Sequence, residues 1–216
     1  PKTRWILTLM HKLSMTNIGI VCAMSEEVQK IISAFKLKRI QSTLNYPIYQ
    51  NKHIVLIESS IGKVASALAT STLINNYPVD QLINIGLAGA LKPVSTGSAY
   101  FISSVSQHDA FIPFEDYQQD MYKSINCTVP SGASNSAVLT TGDQFITDNS
   151  SVANTADIVD MEGFAVAYVA EKHNIPVTLI KGVSDDTNSE SEKELFENLN
   201  VAMDQTIELL KTVVNN

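Results

Sequence analysis

The sequence predicts an α/β fold, a single-domain three-layer sandwich with a mixed central sheet flanked by helices. From residue 17 onward, short apolar runs typical of buried strands alternate with longer runs of helical periodicity. No internal repeat or linker interrupts this alternation, which indicates one domain. Two strand-like runs at residues 46–50 and 53–58 are joined by Asn51-Lys52, a hairpin signal that makes the sheet mixed.

The amino-terminal half of the chain alternates between predicted strands and helices. Residues 18–23 form a short apolar strand, and Ser25-Glu26-Glu27 opens the helix that follows it. After the hairpin, a helix rich in small residues covers positions 64–75, and a buried strand covers positions 81–86. The glycine-bearing segment 86–90 is predicted to be a turn.

The carboxy-terminal half continues this alternation. Strands are predicted at residues 99–105, 137–141 and 177–183, and helices at residues 161–172 and 191–213. In the helix at 161–172 apolar residues alternate with small ones, so we expect that helix to be largely buried.

Composition limits the classes of function. The 216 residues are 44% hydrophobic and carry a formal net charge of −7, so the chain lacks the basic surplus that a nucleic-acid or membrane-surface partner would require. Cys22 and Cys127 are far apart and form no CxxC pair, which fits a reducing, cytoplasmic location. The four histidines show no ligand spacing, so we predict neither a metal site nor a cofactor.

Residues 1–14 differ from the rest of the chain. They contain Lys2, Arg4 and a short apolar run, as a weak signal segment would, but the run is broken and no cleavage site of small residues follows. We therefore expect residues 1–14 to be a disordered extension and residues 15–216 to form the domain. No apolar run reaches the length of a transmembrane span.

Four predicted strands end in polar or glycine-bearing loops, at residues 25–27, 86–89, 142–145 and 184–186. If the strands are parallel, these loops meet at one edge of the sheet, where open α/β sheets bind ligands. Each loop by itself also has a structural explanation. First-turn glutamates stabilise helix N-termini, and a glycine pair without G-x-G-x-x-G spacing is a weak signal that disfavours a Rossmann-type dinucleotide protein.

Six motifs follow one another along the chain after Met15. They are GIVCAMSEEV at 19–28, SIGKVA at 60–65, NIGLAG at 84–89, GDQFI at 142–146, DMEG at 160–163 and VSD at 183–185. In content and order they resemble the purine nucleoside phosphorylase and nucleosidase superfamily, and most closely its 5′-methylthioadenosine/S-adenosylhomocysteine nucleosidases. The resemblance implies a small-molecule nucleoside as the partner and a homodimer as the assembly, with the loop at His108 near the interface.

The resemblance also implies a reaction, the hydrolysis of the N-glycosidic bond of a 5′-substituted adenosine. Water attacks the ribose C1′, and adenine leaves. Glu27 matches the family's base, which orients or deprotonates the water, and Asp185 matches the acid, which protonates the purine at N7. An acid that donates near neutral pH needs a raised pKa, and burial in an apolar pocket supplies it.

Further residues match substrate-binding positions of the family. Glu162 and Met161 are expected at the ribose, Phe145 is expected to stack on adenine, and the backbone of Ile146 is expected to read the edge of the base. Gly89 is expected to let the main chain approach the ligand closely. The remaining pocket residues are expected to be Ala88, Ile61, Ser184 and Phe196, although Phe196 is equally well explained as a core aromatic.

The basic residues favour water over phosphate as the nucleophile. Phosphorylases of this superfamily grip phosphate with arginines, whose planar fork binds oxyanions through two bonds. This chain has two arginines, Arg4 and Arg39, and neither belongs to a matched motif. Lys63 is the one cation in a matched loop, and its position also suits a surface residue at a helix end.

Several departures leave the substrate open. Leu87 stands where relatives usually carry Ser or Thr, and the segments 114–136 and 146–159 are shorter than in relatives. These changes fall near the part of the site that holds the 5′ substituent. The alternatives are a nucleosidase for another purine nucleoside, such as the futalosine type, a phosphorylase, and a catalytically silent nucleoside-binding relative.

Overall fold

The computed structural model describes residues 17–114, 123–152 and 156–214. The predicted extension at residues 1–14 lies outside these residues. Among the described helices, none combines the length and the apolar character needed to cross a membrane.

Strands and helices alternate along the described residues, as the periodicity predicts. The helices are α1 (Ser25–Phe35), α2 (Lys63–Asn76), α3 (Gly163–Lys172) and α4 (Ser191–Val214), with a short 3₁₀ turn at Asn149–Ser151. The strands are β1 (Ile18–Cys22), β2 (Lys38–Arg39), β3 (Ile48–Gln50), β4 (Ile54–Glu58), β5 (Gln81–Ala90), β6 (Ala99–Gln107), β7 (Ile125–Asn126), β8 (Ser136–Thr141), β9 (Ile158–Asp160) and β10 (Val177–Asp185).

All the strands belong to one mixed sheet. Strand β1 is parallel to β4 and β5, β5 is parallel to β10, and β3–β4 is the predicted antiparallel hairpin. From β10 the sheet continues through β6, β8 and β9, and β9 pairs with the last two residues of β5. Strands β5, β10, β6, β8 and β9 therefore close into a ring, and β1, β4, β3 and β2 extend from it as an open sheet.

The two faces of the sheet carry separate apolar cores, which confirms the three-layer sandwich. Successive residues of β1 point to opposite faces. Val21 belongs to the core that includes Leu73 of α2 and Phe164 of α3, whereas Ile20 belongs to the core that includes Ile31 of α1 and Met203 of α4. Helix α3 is largely buried, as its composition predicts.

Strands β5 and β10 are longer than predicted. Segment 86–90, predicted to be a turn, is the last part of β5, and β10 continues through Ser184 to Asp185. Their registers explain this, because β5 pairs with β10 as far as Gly89 and with β9 at Gly89 and Ala90. The glycines alone would suggest a turn, but hydrogen bonding to a strand on each side keeps this segment extended. The register of the β5–β10 pair shifts between Val183 and Asp185, next to the glycines.

Candidate active site

A cleft lies at the carboxyl ends of β1, β5 and β10, the edge where the strand-end loops were predicted to meet. It encloses about 610 Å³ of empty space, part of which is open to solvent. Ten of the eleven predicted site residues line it: Glu27, Ile61, Ala88, Gly89, Phe145, Ile146, Met161, Glu162, Ser184 and Asp185. Three acidic side chains from distant parts of the chain thus face one space.

Phe196 is the predicted site residue that the cleft excludes. It is 60% exposed and lies in a separate groove between α1 and α4, beside Leu199. Its neighbour Leu195 lines the cleft instead. Consecutive side chains on an α-helix point about 100° apart around its axis, so a prediction that is off by one position selects the wrong face of the helix.

Glu27 is held by three hydrogen bonds although it is 3% exposed. Its Oε2 accepts from the Met24 N–H at 3.0 Å, which caps the first turn of α1, and from the Cys22 thiol at 3.4 Å. Its Oε1 accepts from the Leu87 N–H of β5 at 2.9 Å. A Cβ at Gly86 would lie 3.0 Å from Oε1, so the glycine makes room for the carboxylate. Burial raises the pKa of Glu27, against the opposing effects of the Met24 amide and the charge of Lys181.

Asp185 ends β10 and is 2% exposed. Its Oδ2 accepts from the Ser184 hydroxyl at 2.8 Å and its Oδ1 from the Thr187 N–H at 3.1 Å. Burial raises the pKa of Asp185 above its ordinary value, although these donors act in the opposite direction. The sequence predicted this raised pKa from the need for an acid near neutral pH.

Gly89 lines the cleft, and its lack of a side chain also leaves space for neighbouring protein groups. A Cβ there would lie 2.5 Å from Thr187 Cγ2 and 2.9 Å from Asp185 Oδ1. The glycine therefore makes room for the acidic side chain and for Thr187. Thr187 adopts a left-handed backbone (φ 48°), and its hydroxyl donates to the Ala90 carbonyl at 2.6 Å.

Glu162 immediately precedes α3 and is 7% exposed. Its Oε1 accepts from the Gly62 N–H at 2.8 Å, a contact between the start of α3 and the start of α2. Burial, followed by the nearby charge of Asp160, raises the pKa of Glu162 to about 7. A carboxyl group with that pKa is part ionised at neutral pH.

The sequence reasoning missed Lys181, which is 1% exposed in the middle of β10. Its Nζ pairs with Asp160 Oδ2 at 2.7 Å, and Asp160 also accepts from the Thr141 hydroxyl and the Gly163 N–H. Burial lowers the pKa of Lys181, but the charges of Asp160 and Glu162 outweigh burial and raise it. The signal was available, because a lysine inside an apolar strand is almost never buried without a partner.

Phe145 and Ile146 lie on the loop that follows β8, and Phe145 is 44% exposed. An ion cluster of three residues, which we call the Lys63 cluster, fixes this loop. Lys63 Nζ lies 2.5 Å from Asp109 Oδ1 and 3.9 Å from Asp143 Oδ2. The Asp143 N–H donates to Asp109 at 2.8 Å, and the Lys63 N–H donates to Asp143 at 2.8 Å. The cluster thereby joins the start of α2, the end of β6 and the Phe145 loop.

The positive charges near the cleft are already paired. Lys63 is engaged by Asp109 and Lys181 by Asp160, and Arg39 lies in β2, the outermost strand. Within the described part of the chain, no lysine or arginine lines the cleft.

Comparisons with known proteins identify the family of the chain. A family model described as the phosphorylase superfamily matches residues 17–215. A 5′-methylthioadenosine/S-adenosylhomocysteine nucleosidase from Buchnera aphidicola is 30% identical, over 92% of this chain and 91% of its own. An aminodeoxyfutalosine nucleosidase from Campylobacter jejuni is 27% identical, over 85% of this chain and 91% of its own.

A solved structure shares the fold. The crystal structure of the 5′-methylthioadenosine/S-adenosylhomocysteine nucleosidase from Helicobacter pylori with butyl-thio-DADMe-Immucillin-A superposes with a TM-score of 0.80 at 26% identity, covering 94% of this chain and 99% of the other. The match of the superfamily model to nearly the whole described chain, together with these relatives, leads to one conclusion. The chain belongs to the 5′-methylthioadenosine/S-adenosylhomocysteine nucleosidase family of the phosphorylase superfamily.

Proposed function

We propose that this nucleosidase hydrolyses the N-glycosidic bond of a 5′-substituted adenosine of the methylthioadenosine/S-adenosylhomocysteine class and releases adenine. The observation that carries the proposal is the meeting of Glu27, Glu162 and Asp185 in one cleft. They come from the start of α1, the start of α3 and the end of β10. A fold alone needs no such convergence of buried carboxyl groups, since burying a charge is costly.

Asp185 is the proposed acid. Adenine is a poor leaving group as an anion, so a proton must reach N7 as the bond to C1′ breaks. Burial favours the protonated form of Asp185, which is the form that can donate. The Ser184 hydroxyl and the Thr187 N–H set the direction of the carboxyl group.

Glu27 is the proposed base. Burial raises its pKa, but three donors and the positive charge of Lys181 act against burial and favour the carboxylate form, which can accept a proton from water. Glu162 is the proposed ribose ligand, since a carboxylate accepts hydrogen bonds from two hydroxyls and offsets positive charge that grows on the sugar. Met161, beside it, lines the same side of the cleft.

Phe145 and Ile146 are the proposed adenine contacts. The exposed ring of Phe145 borders the cleft and offers an apolar face on which a base can stack. Ile146 is buried against Val159, so its backbone is held firmly at the cleft wall. Ile61, Leu87 and Leu195 add apolar surface on which a 5′ substituent can pack.

Water is the proposed nucleophile. Phosphate would bring negative charge into a cleft lined by four carboxyl groups, those of Glu27, Asp160, Glu162 and Asp185, and by no lysine or arginine of the described residues. The nearest cations, Lys63 and Lys181, are paired with aspartates. Water adds no charge and needs only a base such as Glu27.

A second candidate function is hydrolysis of aminodeoxyfutalosine. The observation that favours it is the relative from Campylobacter jejuni, which is nearly as similar as the relative from Buchnera aphidicola. The proposed base, acid and ribose ligand serve both reactions, because the two proposals differ in the 5′ part of the nucleoside.

We further propose a homodimer. Four large apolar side chains are widely exposed: Ile61 (54%), which lines the cleft, Val64 (79%) and Leu68 (59%) on α2, and Phe111 (80%). Val64 and Leu68 are one turn apart on α2, so they share a face, and such a patch is typical of an interface. Analytical ultracentrifugation should show a dimer that Val64→Glu dissociates, and a wild-type monomer would contradict the proposal.

The decisive experiment measures adenine release from 5′-methylthioadenosine, S-adenosylhomocysteine and aminodeoxyfutalosine, with and without phosphate. We expect release without phosphate and formation of the free sugar. Dependence on phosphate would replace hydrolysis by phosphorolysis, and binding without turnover would leave a nucleoside-binding protein. The ratio of kcat/KM among the three nucleosides decides between the two candidate functions.

A further inference from the structure

Cys22 contacts Glu27, and no step proposed above uses it. Its Sγ lies 3.4 Å from Glu27 Oε2 at the end of β1, and the residue is fully buried. Burial, followed by the charge of Glu27, raises the pKa of the Cys22 thiol well above its ordinary value. The sulfur therefore keeps its proton near neutral pH and acts as a hydrogen-bond donor.

The two oxygens of Glu27 are unequally occupied. Oε2 accepts from the Met24 N–H at 3.0 Å and from the Cys22 thiol, which accounts for both of its lone pairs. Oε1 accepts from the Leu87 N–H at 2.9 Å, its single donor among the described residues. One lone pair of Oε1 is thus left on a side chain that lines the cleft.

We propose that Cys22 is a positioning residue for the base of the reaction. With the Met24 amide it saturates Oε2 of Glu27, so that Oε1 is the oxygen that faces the attacking water. The inference rests on the hydrolysis proposed above. In that step the water oxygen bonds to C1′, the C1′–N bond breaks with its electron pair going to adenine, one water proton passes to Oε1, and Asp185 protonates N7.

The thiol also favours the charged form of Glu27. The charged groups near Glu27 include Lys181 on β10, which stabilises the carboxylate, and Glu162, which repels it, while Asp160 and Asp185 line the same cleft. Removing the thiol leaves these groups in place and takes away one donor. The carboxylate then forms less readily, so activity is lost first at acidic pH.

The test compares Cys22→Ala and Cys22→Ser with wild type in kcat/KM for adenine release from 5′-methylthioadenosine across pH. For Cys22→Ala we expect the acid limb to move to higher pH and kcat/KM on that limb to fall roughly 3- to 10-fold, the equivalent of one hydrogen bond. Serine keeps a donor and should restore the wild-type limb. The control is Cys127→Ala, whose sulfur contacts the Ile125 carbonyl away from the cleft. A Cys22→Ala profile that superimposes on wild type, or a serine variant that behaves like alanine, overturns the inference.

A second measurement does not depend on turnover. In a Cys127→Ala protein Cys22 carries the only thiol, so the infrared S–H stretching band reports on it alone. Glu27→Gln weakens the acceptor, and we expect the band to move to higher frequency. An unchanged band overturns the inference even if Cys22→Ala does not fold. A wild-type protein that turns over none of the nucleosides refutes the proposed function instead, and the infrared comparison still decides whether the thiol bonds to Glu27.

Discussion

The two sides of the cleft differ in how firmly the chain holds them. On one side Glu27, Glu162 and Asp185 are 3%, 7% and 2% exposed, and a backbone N–H donates to each carboxyl group. On the other side Phe145 is 44% exposed and Ile61 is 54% exposed. The buried side is preorganised by strands and helix starts, whereas the open side consists of loops.

Under the proposed mechanism, this difference separates the chemistry from the choice of substrate. Proton transfer needs groups fixed within hydrogen-bond reach, which the buried side provides. Loops tolerate changes of length and sequence, so the open side can vary while the buried side stays. The relatives fit this division, since proteins named for methylthioadenosine and for aminodeoxyfutalosine share similar identity with this chain.

Replacing Asp185 by asparagine should have the largest effect on the buried side. The amide cannot deliver a carboxyl proton to N7, and we expect kcat/KM for adenine release to fall by about 10²–10⁴-fold. The matched control is Asp186→Asn, because the next residue is exposed and accepts from the Thr96 hydroxyl. An Asp185→Asn variant as active as Asp186→Asn in steady-state kinetics would remove Asp185 from the reaction.

Glu162→Gln should lower activity and raise stability. The pKa of Glu162 is about 7 in the native state against an ordinary value of 4.5, so the native state binds more protons between these values. The stability that this extra proton affinity contributes is fully present below pH 4.5 and is lost as the pH rises to about 7. At pH 8, where wild type carries the buried charge, we expect Glu162→Gln to be more stable by on the order of 2 kcal/mol.

Thermal unfolding of both proteins from pH 4 to pH 8 measures this effect. The difference in Tm should widen toward pH 8, where it should reach roughly 4–8 °C. A difference that stays constant with pH would mean that burial of the Glu162 charge costs the native state little.

The Lys63 cluster links the two sides, so breaking it should mainly affect binding. Asp109→Asn removes the charge that pairs with Lys63 and loosens the loop that carries Phe145. We expect KM to rise roughly 3- to 10-fold with a smaller change in kcat, because the proposed acid and base lie outside the cluster. The control is Asp204→Asn, which removes a similar pair with Lys30 at 2.9 Å between α1 and α4. Equal KM values for the two variants would mean that the Lys63 cluster does not contribute to adenine binding.

Periodicity was sufficient to predict the layers of the fold, because helical and strand spacing are local properties. It was not sufficient for the ends of β5 and β10. Segment 86–90 and Ser184-Asp185 contain residues that favour turns, and only pairing with distant strands keeps them extended. A single sequence shows no such pairing.

The site divides in the same way. Residues within matched motifs, such as Glu27 and Asp185, were predicted and do line one cleft. The ion pairs around the cleft were missed, among them Lys181 with Asp160 and Lys63 with Asp109. These pairs join residues that are far apart in the chain, and the sequence around one residue of a pair does not indicate which residue is its partner.

The smallest expected effect distinguishes two neighbours in the first turns of α4. Leu195 lines the cleft, whereas Phe196 is 60% exposed in the groove beside α1. We expect Leu195→Ala to lower kcat/KM roughly 3- to 10-fold, since apolar contact with the substrate is lost. Phe196→Ala should leave kcat/KM at the wild-type value. The opposite result would return Phe196 to the pocket and would require α4 to rotate when a nucleoside binds, because on a rigid helix the two side chains lie about 100° apart.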